Sequence, residues 1–427
     1  MLNKKIIMNR VILIGNGFDL AHGLETSYKQ FFDDFWEKQA FDYDNTPIEK
    51  RKYLDNNLFL GFNISQSYSL MGKWHDDIKY NRITLKNRLL EAISEKKVQQ
   101  DWVDIEEEYN KRLLEINKRN GNYKQYLNVK HLNQDFLNIK KELEKYLTEV
   151  VNNSVSKIEG IYNLFYDNFK IEDFPSSKED LLMNYISEIL NNNDDNICYD
   201  MLRIALLGEE YKEYNNDGRK FKIQSLIEYF KTKFYSLNTY KIYPRHTLIL
   251  NFNYTKTESL YLDCKDYIKN SGGIIPLLDI NTIHIHGELN SETNPIIFGY
   301  GDELSDGYKE IEKLNDNDFL KNIKSIKYLK TDNYRQMLNF IDSDYYQIYT
   351  FGHSCGNSDR TLLNTLFEHE NCVSIKPFFH EKEKNEKKTD NYEDIIINMS
   401  RNFNDKKIFR EKVVNKTYCE PLPQIKK

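Results

Sequence analysis

Residues 11–28 read VILIGNGFDLAHGLETSY. The run Val11-Ile12-Leu13-Ile14 is short, apolar and rich in β-branched residues, and it passes directly into Gly15-Asn16-Gly17. A strand with no polar alternation is one buried on both faces, as in a parallel sheet covered by helices. A helix is expected to start near Thr26 or Ser27. Ser27 and Gln30 have the S-x-x-Q spacing of a capping box, and Tyr28, Phe31, Phe32 and Phe35 then recur at helical spacing. Strand, glycine turn and helix together point to an α/β fold.

Further along the chain, five more runs pass from apolar residues into a turn carrying Gly, Asn, His or Asp. They are TLILNFNYT (247–255), TIHIHGEL (282–289), PIIFGYGDE (295–303), YQIYTFGHSCGNSDRTLL (346–363) and VSIKPFFH (373–380). In an open α/β sheet, ligands bind outside the carboxyl ends of the strands, where such turns lie. Residues 9–25 and about 245–380 are therefore expected to form one parallel, Rossmann-like sheet. From about 80 to 240 charged and apolar residues alternate at helical period, which reads as a helical insertion packed beside the sheet. The expected divisions are 9–79 as the first part of the α/β domain, 80–244 as the insertion, 245–380 as the second part, and 381–427 as a charged loop with a helical tail. The run HEKEKNEKKTDNYED (380–394) reads as solvated loop.

The chain has 427 residues, enough for a sizeable core. Its 60 Lys and Arg against 66 Asp and Glu give a net charge of −6, so no global positive field gathers phosphate backbone, and nucleic acid is not the expected partner. Mean hydropathy is −0.72, yet aromatic residues make up 14% and there are only 17 Gly and 8 Pro, which indicates a folded, helix-rich chain. The cysteines at 198, 264, 355, 372 and 419 form no C-x-x-C pair and read as reduced thiols. The apolar patch near the N-terminus is broken by Asn9 and Arg10 and reads as a strand, not a secretory leader. No run of about 20 apolar residues suggests a membrane span. A cytoplasmic protein is expected.

Glycines 15 and 17 let the backbone approach a pyrophosphate, whose charge free N–H groups would meet. The third glycine of the usual dinucleotide fingerprint is absent at its usual spacing, and a structural strand-to-helix turn needs similar residues. On that reading, a Cβ at Gly17 would collide with the ligand and leave the fold largely intact. The other turns add Asn251 and Asn253, His284 and His286 at i, i+2 on one strand face, and Gly352, Ser354 and Asp359. On neighbouring strand ends they would converge on a single cleft.

In this order, ILIGNGFDLAHGLETSYKQFF, WVDIEEEY (102–109), NFNYT, HIHGEL, IIFGYGDE and YTFGHSCGNSD resemble the AbiH family, bacterial proteins named for abortive infection against phage. The resemblance runs from residue 11 to about 360. More distantly, the chain is similar to sirtuin-like NAD-binding domains. Their opening G-x-G-x-S-x-x-x-G-[IL]-P has the spacing of Gly15, Gly17, Asp19, Gly23 and Leu24. Their T-x-N-[YI]-D resembles the segment around Asn253, their H-G resembles His286-Gly287, and their later G-[TY]-S resembles Gly352-His353-Ser354. Asp19 stands in place of their Ser, Glu25 of their Pro and Thr255 of their Asp, and their four-cysteine zinc module is missing. These departures disfavour a protein deacylase. The resemblance implies an anti-phage effector that hydrolyses NAD to nicotinamide and ADP-ribose, with NAD as substrate and no metal.

In that role His286 would be the base and Asn253 the positioner of water or ribose. NAD would be held by Gly15, Asn16, Gly17, Asp19, Gly23, Gly352, Ser354 and Asp359. Cleaving the nicotinamide–ribose bond passes through an oxocarbenium-like state, and a histidine titrating near neutrality suits the base role. Both side chains are expected on loops where packing is sparse. His284 could share a divalent metal with His286, completed by Glu288 or Asp302, or it could orient His286 from behind. Trp102 and Glu106 would share a helix face, either packed against the sheet or lining the cleft. Asp19 and Asp359 could bind ribose hydroxyls or close Asx-turns. Two further readings stay open: a nucleotide-sensing module without turnover, and a metal-dependent hydrolase or nuclease using His284 and His286. An unrestrained NAD hydrolase would poison its host, so control by homo-oligomerisation, a partner or a phage-derived activator is expected.

Overall fold

The structure, a computed structural model, describes residues 7–51, 58–62, 74–80, 82–100, 104–118, 128–191, 242–262, 279–384 and 387–425. Trp102, Cys198 and Cys264 lie outside the described residues, as does the part of the expected helical insertion at 192–241. Five strands form the main sheet: β1 (Met8–Ile14), β2 (His246–Asn251), β3 (Asp279–His284), β4 (Tyr345–Phe351) and β5 (Cys372–Phe378). Their order is β3-β2-β1-β4-β5, and every pairing is parallel. Val11 pairs with Leu248 and Ile348, so the two halves of the chain meet in one sheet as expected.

The apolar run of β1 is explained by its neighbours on each face. Met8, Ile12 and Ile14 pack with Phe18, Phe165, Tyr261 and Phe351. Val11 and Leu13 pack on the opposite side with Leu248, Ile348, Met337 and Leu363. Burying each such side chain contributes about 1.5–3 kcal/mol, so a polar residue on either face is costly unless partnered, as the buried Asn9 and Arg10 of the same strand are.

The Gly15 turn opens directly into a six-residue helix, α1 (Asn16–Ala21). The helix expected near Ser27 is the second, α2 (Tyr28–Asn45), and its capping box is complete in both directions. Gly23, at φ +80, ends α1: its amide bonds to the Leu20 carbonyl, and that of Leu24 bonds to the Asp19 carbonyl. Downstream, α3 (Arg88–Gln100), α4 (Ile105–Asn117) and α5 (Val129–Val150) join α2 in a core of their own. The stretch containing Glu159–Phe165 and Glu179–Asn191 instead covers one face of the sheet. Helices α6 (Asn333–Ser343), α7 (Arg360–Glu368) and α8 (Tyr392–Arg401) cover the other.

Three expectations are corrected here. The run 295–303 is not a strand, because its backbone bonds to turns, the Tyr300 amide to the Asn322 carbonyl and the Gly301 amide to the Ser358 carbonyl, while Ile297 and Phe298 enter different cores, one under the sheet and one among the helices. It seals the seam between them, tied by the Ile297 amide to the His286 carbonyl at 2.7 Å. Second, β3 ends at His284, so His286 lies in the following turn and the two imidazoles do not share a strand face. Third, the charge run 380–394 is not simply loop: Glu381–Lys384 and Lys387–Asp390 pair as an antiparallel ribbon, with Lys388 bonded to Glu381. Among the described residues, no helix is long and apolar enough to cross a membrane.

Candidate functional site

The strand order reverses direction between β1 and β4, the position in an open α/β sheet where diverging turns leave a crevice. A cavity of about 630 Å³ opens there, within the range of small-molecule sites. Gly15, Asn16, Gly17, Asp19, Asn253, His286, Gly352, Ser354 and Asp359 all line it. Gly23 does not, since its role is to end α1, and an added Cβ there would meet Ile425 at 2.5 Å.

The glycines bring two turns into contact. Gly15 donates its amide to the Phe351 carbonyl at 3.0 Å, and Gly17 donates to the Gly352 carbonyl at 2.8 Å. A Cβ on Gly17 would stand 2.8 Å from the Gly352 Cα and oxygen, and one on Gly15 would stand 2.6 Å from the His353 Cα. Gly352 itself, at φ +66, lies so close that its Cβ would reach 2.1 Å from the Phe18 nitrogen. The amides of both glycines are therefore bonded within the chain and not free to meet a pyrophosphate, and the collision expected at Gly17 is with the chain itself. Asn16 and Ser354 remain exposed at the cavity, with the Asn16 Oδ1 accepting from the Thr26 hydroxyl at 2.6 Å.

His286 is buried, not loosely held on a loop. Its Nε2 lies 3.1 Å from the Tyr328 hydroxyl and 3.1 Å from Asp359 Oδ1, and the Phe252 ring stands edge-on between it and His353. Burial, and then the charge of Lys324, lower its pKa, while Asp359 pulls the other way. Burial works against the charge of Asp359 too, yet Lys324 and His286 hold that carboxyl far below the usual carboxylate range. The imidazole is thus disposed to be neutral and beside a fixed anion, the arrangement of a base that rests ready to take up a proton. His353 stands farther from the same carboxylate, its Nε2 3.8 Å from Asp359 Oδ2. Its Nδ1 accepts the Cys355 amide, and burial drops its pKa to about 4.

Asn253 is also buried, and it ties two strand ends together. Its side-chain amide donates to the Gly15 carbonyl at 3.0 Å, and its own backbone N–H donates to Asn251 Oδ1 at 2.8 Å. Asp19 accepts from the Thr255 hydroxyl at 2.7 Å, while its other oxygen has no partner among the described residues. Burial pushes the Asp19 carboxyl up to about 6.

His284 belongs to a different network. Its Nε2 bonds to Glu258 Oε1 at 2.9 Å, and Glu258 in turn accepts from Asn251. Glu288 engages Lys256 and Asn294, and Asp302 engages Arg360, so the four side chains weighed as a metal shell face four separate sets of partners. Among the described residues, no three His, Cys, Asp or Glu are grouped so as to hold a metal ion.

Two residues, the cavity-lining Lys324 and Tyr328 behind His286, carried no signal in the motifs. Lys324 is one of several lysines in NIKSIKYLK (322–330), a spacing that reads as a solvated helix, and Tyr328 lies in the same stretch. Glu106 was weighed, and it does line the cleft, although α4 begins only at Ile105, after Trp102. Cys355 and Cys372 are buried free thiols.

Compared with known families, residues 11–381 match the model described as Bacteriophage abortive infection AbiH. Neither a curated protein nor a solved structure matches the chain.

Proposed function

The chain belongs to the AbiH family, bacteriophage abortive infection proteins, and from that premise we propose that it is an effector that hydrolyses NAD in infected cells at a Rossmann-like, sirtuin-like cleft. The observation carrying this reading is the buried pair of His286 and Asp359 in a cavity at the reversal of strand order. In the reaction the nicotinamide–ribose bond breaks with its electron pair going to nicotinamide. A water oxygen adds to the ribose carbon, and the proton it loses goes first to the His286 imidazole and then to solvent. Asp359 stabilises the imidazolium, and Asn253 shapes the turn against which the ribose lies. Asn16, Asp19 and Ser354 offer polar groups to ribose and phosphate.

Purified protein incubated with NAD, with and without chelator, tests the proposal by chromatography of released nicotinamide. Release that survives chelation supports it. A second reading, nucleotide sensing without turnover, is favoured by one feature: the amide of Asn253, the expected positioner of water or ribose, is engaged by the Gly15 carbonyl inside the chain. Calorimetric binding of NAD without loss of the dinucleotide would select that reading. Chelator-sensitive cleavage of nucleic acid would sink both.

A further inference from the structure

Lys324 is 1% exposed and lies between two carboxylates, 2.8 Å from Glu106 Oε2 and 2.8 Å from Asp359 Oδ1. The three groups come from α4, from the short helix at Lys324–Lys327 and from the turn after β4. Glu106 is fixed on its other side by the Gly299 amide at 3.0 Å, and the Asp359 oxygen that receives Lys324 is the one 3.1 Å from His286 Nε2. Stability alone does not explain such a triad. Burying charges costs several kcal/mol per ion, and apolar residues of similar volume often serve a seam equally well.

We propose that Lys324 is a positioning residue for His286: shared between Glu106 and Asp359, it holds the Asp359 carboxylate in place and offsets its field, so that the imidazole rests neutral and able to take a proton. This rests on the reading of His286 as the base. The titratable groups facing His286 are Asp359, Lys324, Tyr328 and His353. Of these, Asp359 favours the imidazolium, Lys324 opposes it, and Tyr328 and His353 are neutral. Without the lysine, Asp359 acts unopposed and the resting imidazole binds its proton more tightly.

The test is an NMR titration of the labelled His286 imidazole, which needs no turnover. Lys324→Met is expected to raise its midpoint by about one pH unit, tenfold in proton affinity. Because Lys324→Met leaves two buried carboxylates without their cation, Lys324→Met/Glu106→Gln is titrated beside it and is expected to show the same upward shift. Lys324→Arg should return the midpoint toward that of the parent, whereas a structural cation would leave the midpoint the same in every folded variant. An unchanged midpoint in either Met variant overturns the proposal, as does failure of both to fold, since the lysine would then serve the fold. Absence of nicotinamide release by the parent protein would remove the base reading and leave this titration interpretable.

Discussion

At Asn253 and His286 the same side chain faces two demands. Each is buried, each bonds within the chain, and each lines the cavity. His286→Ala and Asn253→Ala are each expected to cut nicotinamide release by about 10²–10⁴, the usual cost of losing a general base or its partner. Their losses should be far from additive, because the base and the turn that Asn253 holds against the ribose serve one step and fail as a unit. Burial means both variants should also melt lower than the parent, contrary to the expectation of sparse packing. His286→Gln, which keeps a polar atom near Tyr328, therefore makes the cleaner comparison, and full activity in that variant would dismiss the mechanism. For Gly17 the structure reverses the balance between fold and ligand. Gly17→Val should destabilise the protein by about 1–3 kcal/mol, as overpacking does, because its Cβ meets the Gly352 backbone. A melting curve unchanged by this substitution would show that the two turns can separate. The sequence marked these glycines as special through their type and position, but a close approach by the chain and a close approach by a ligand require the same residue.

At the scale of the element, α4 shows why Glu106 could not be assigned in advance. Ile105, Tyr109 and Leu113, spaced four apart, are all buried and fix the helix phase. That phase leaves Glu107 exposed and turns Glu106 and Glu108 inward, but the run Glu106-Glu107-Glu108 does not say which carboxylate reaches the cleft and which pairs with Arg112 on the helix itself. The deciding group, Lys324, is 218 residues away in sequence. Asp104 caps α4 by accepting the amides of Glu106 at 2.9 Å and Glu107 at 3.0 Å. Asp104→Ala should cost about 0.5–2 kcal/mol and loosen the turn that carries Glu106. Faster amide exchange confined to the start of α4 would bear this out, whereas unchanged exchange there would mean that the Lys324 contact alone anchors the turn. Conversely, the capping box at Ser27 and the strands β1, β2, β4 and β5 were legible because their signals are local. The run at 295–303 misled because apolar composition alone does not distinguish a strand from a segment lodged between two cores.

For the whole molecule, helical periodicity predicted a helical insertion from about 80 to 240 packed beside the sheet, and its described helices divide between a core with α2 and one face of the sheet. The cleft gathers buried titratable groups from both parts, and their shifts make stability depend on pH in opposing directions. Burial raises Asp19 from 3.8 to about 6, so between those values the folded state holds a proton that the unfolded chain releases, and stability falls as pH rises through this window. At 1.36 kcal/mol per pH unit this is about 3 kcal/mol. Glu106, raised from 4.5 to about 7 by burial against the pull of Lys324, acts with the same sign. His353 is lowered from 6.5 to about 4, so the unfolded chain takes up a proton first as pH falls, and stability is lost on acidification across that window. The contributions of Asp19 and His353 largely cancel in the parent, but single substitutions separate them. Asp19→Asn retains an acceptor for Thr255, and its stability relative to the parent should improve from about pH 4 to about pH 7 as the buried carboxylate's penalty disappears. His353→Asn retains an acceptor for the Cys355 amide, and its stability relative to the parent should decline over the same range. Urea unfolding of the three proteins at both pH values measures the two slopes. Equal slopes for the two variants would mean that Asp19 and His353 titrate alike in the folded and unfolded chains, and that the cleft is wet enough to relieve their burial.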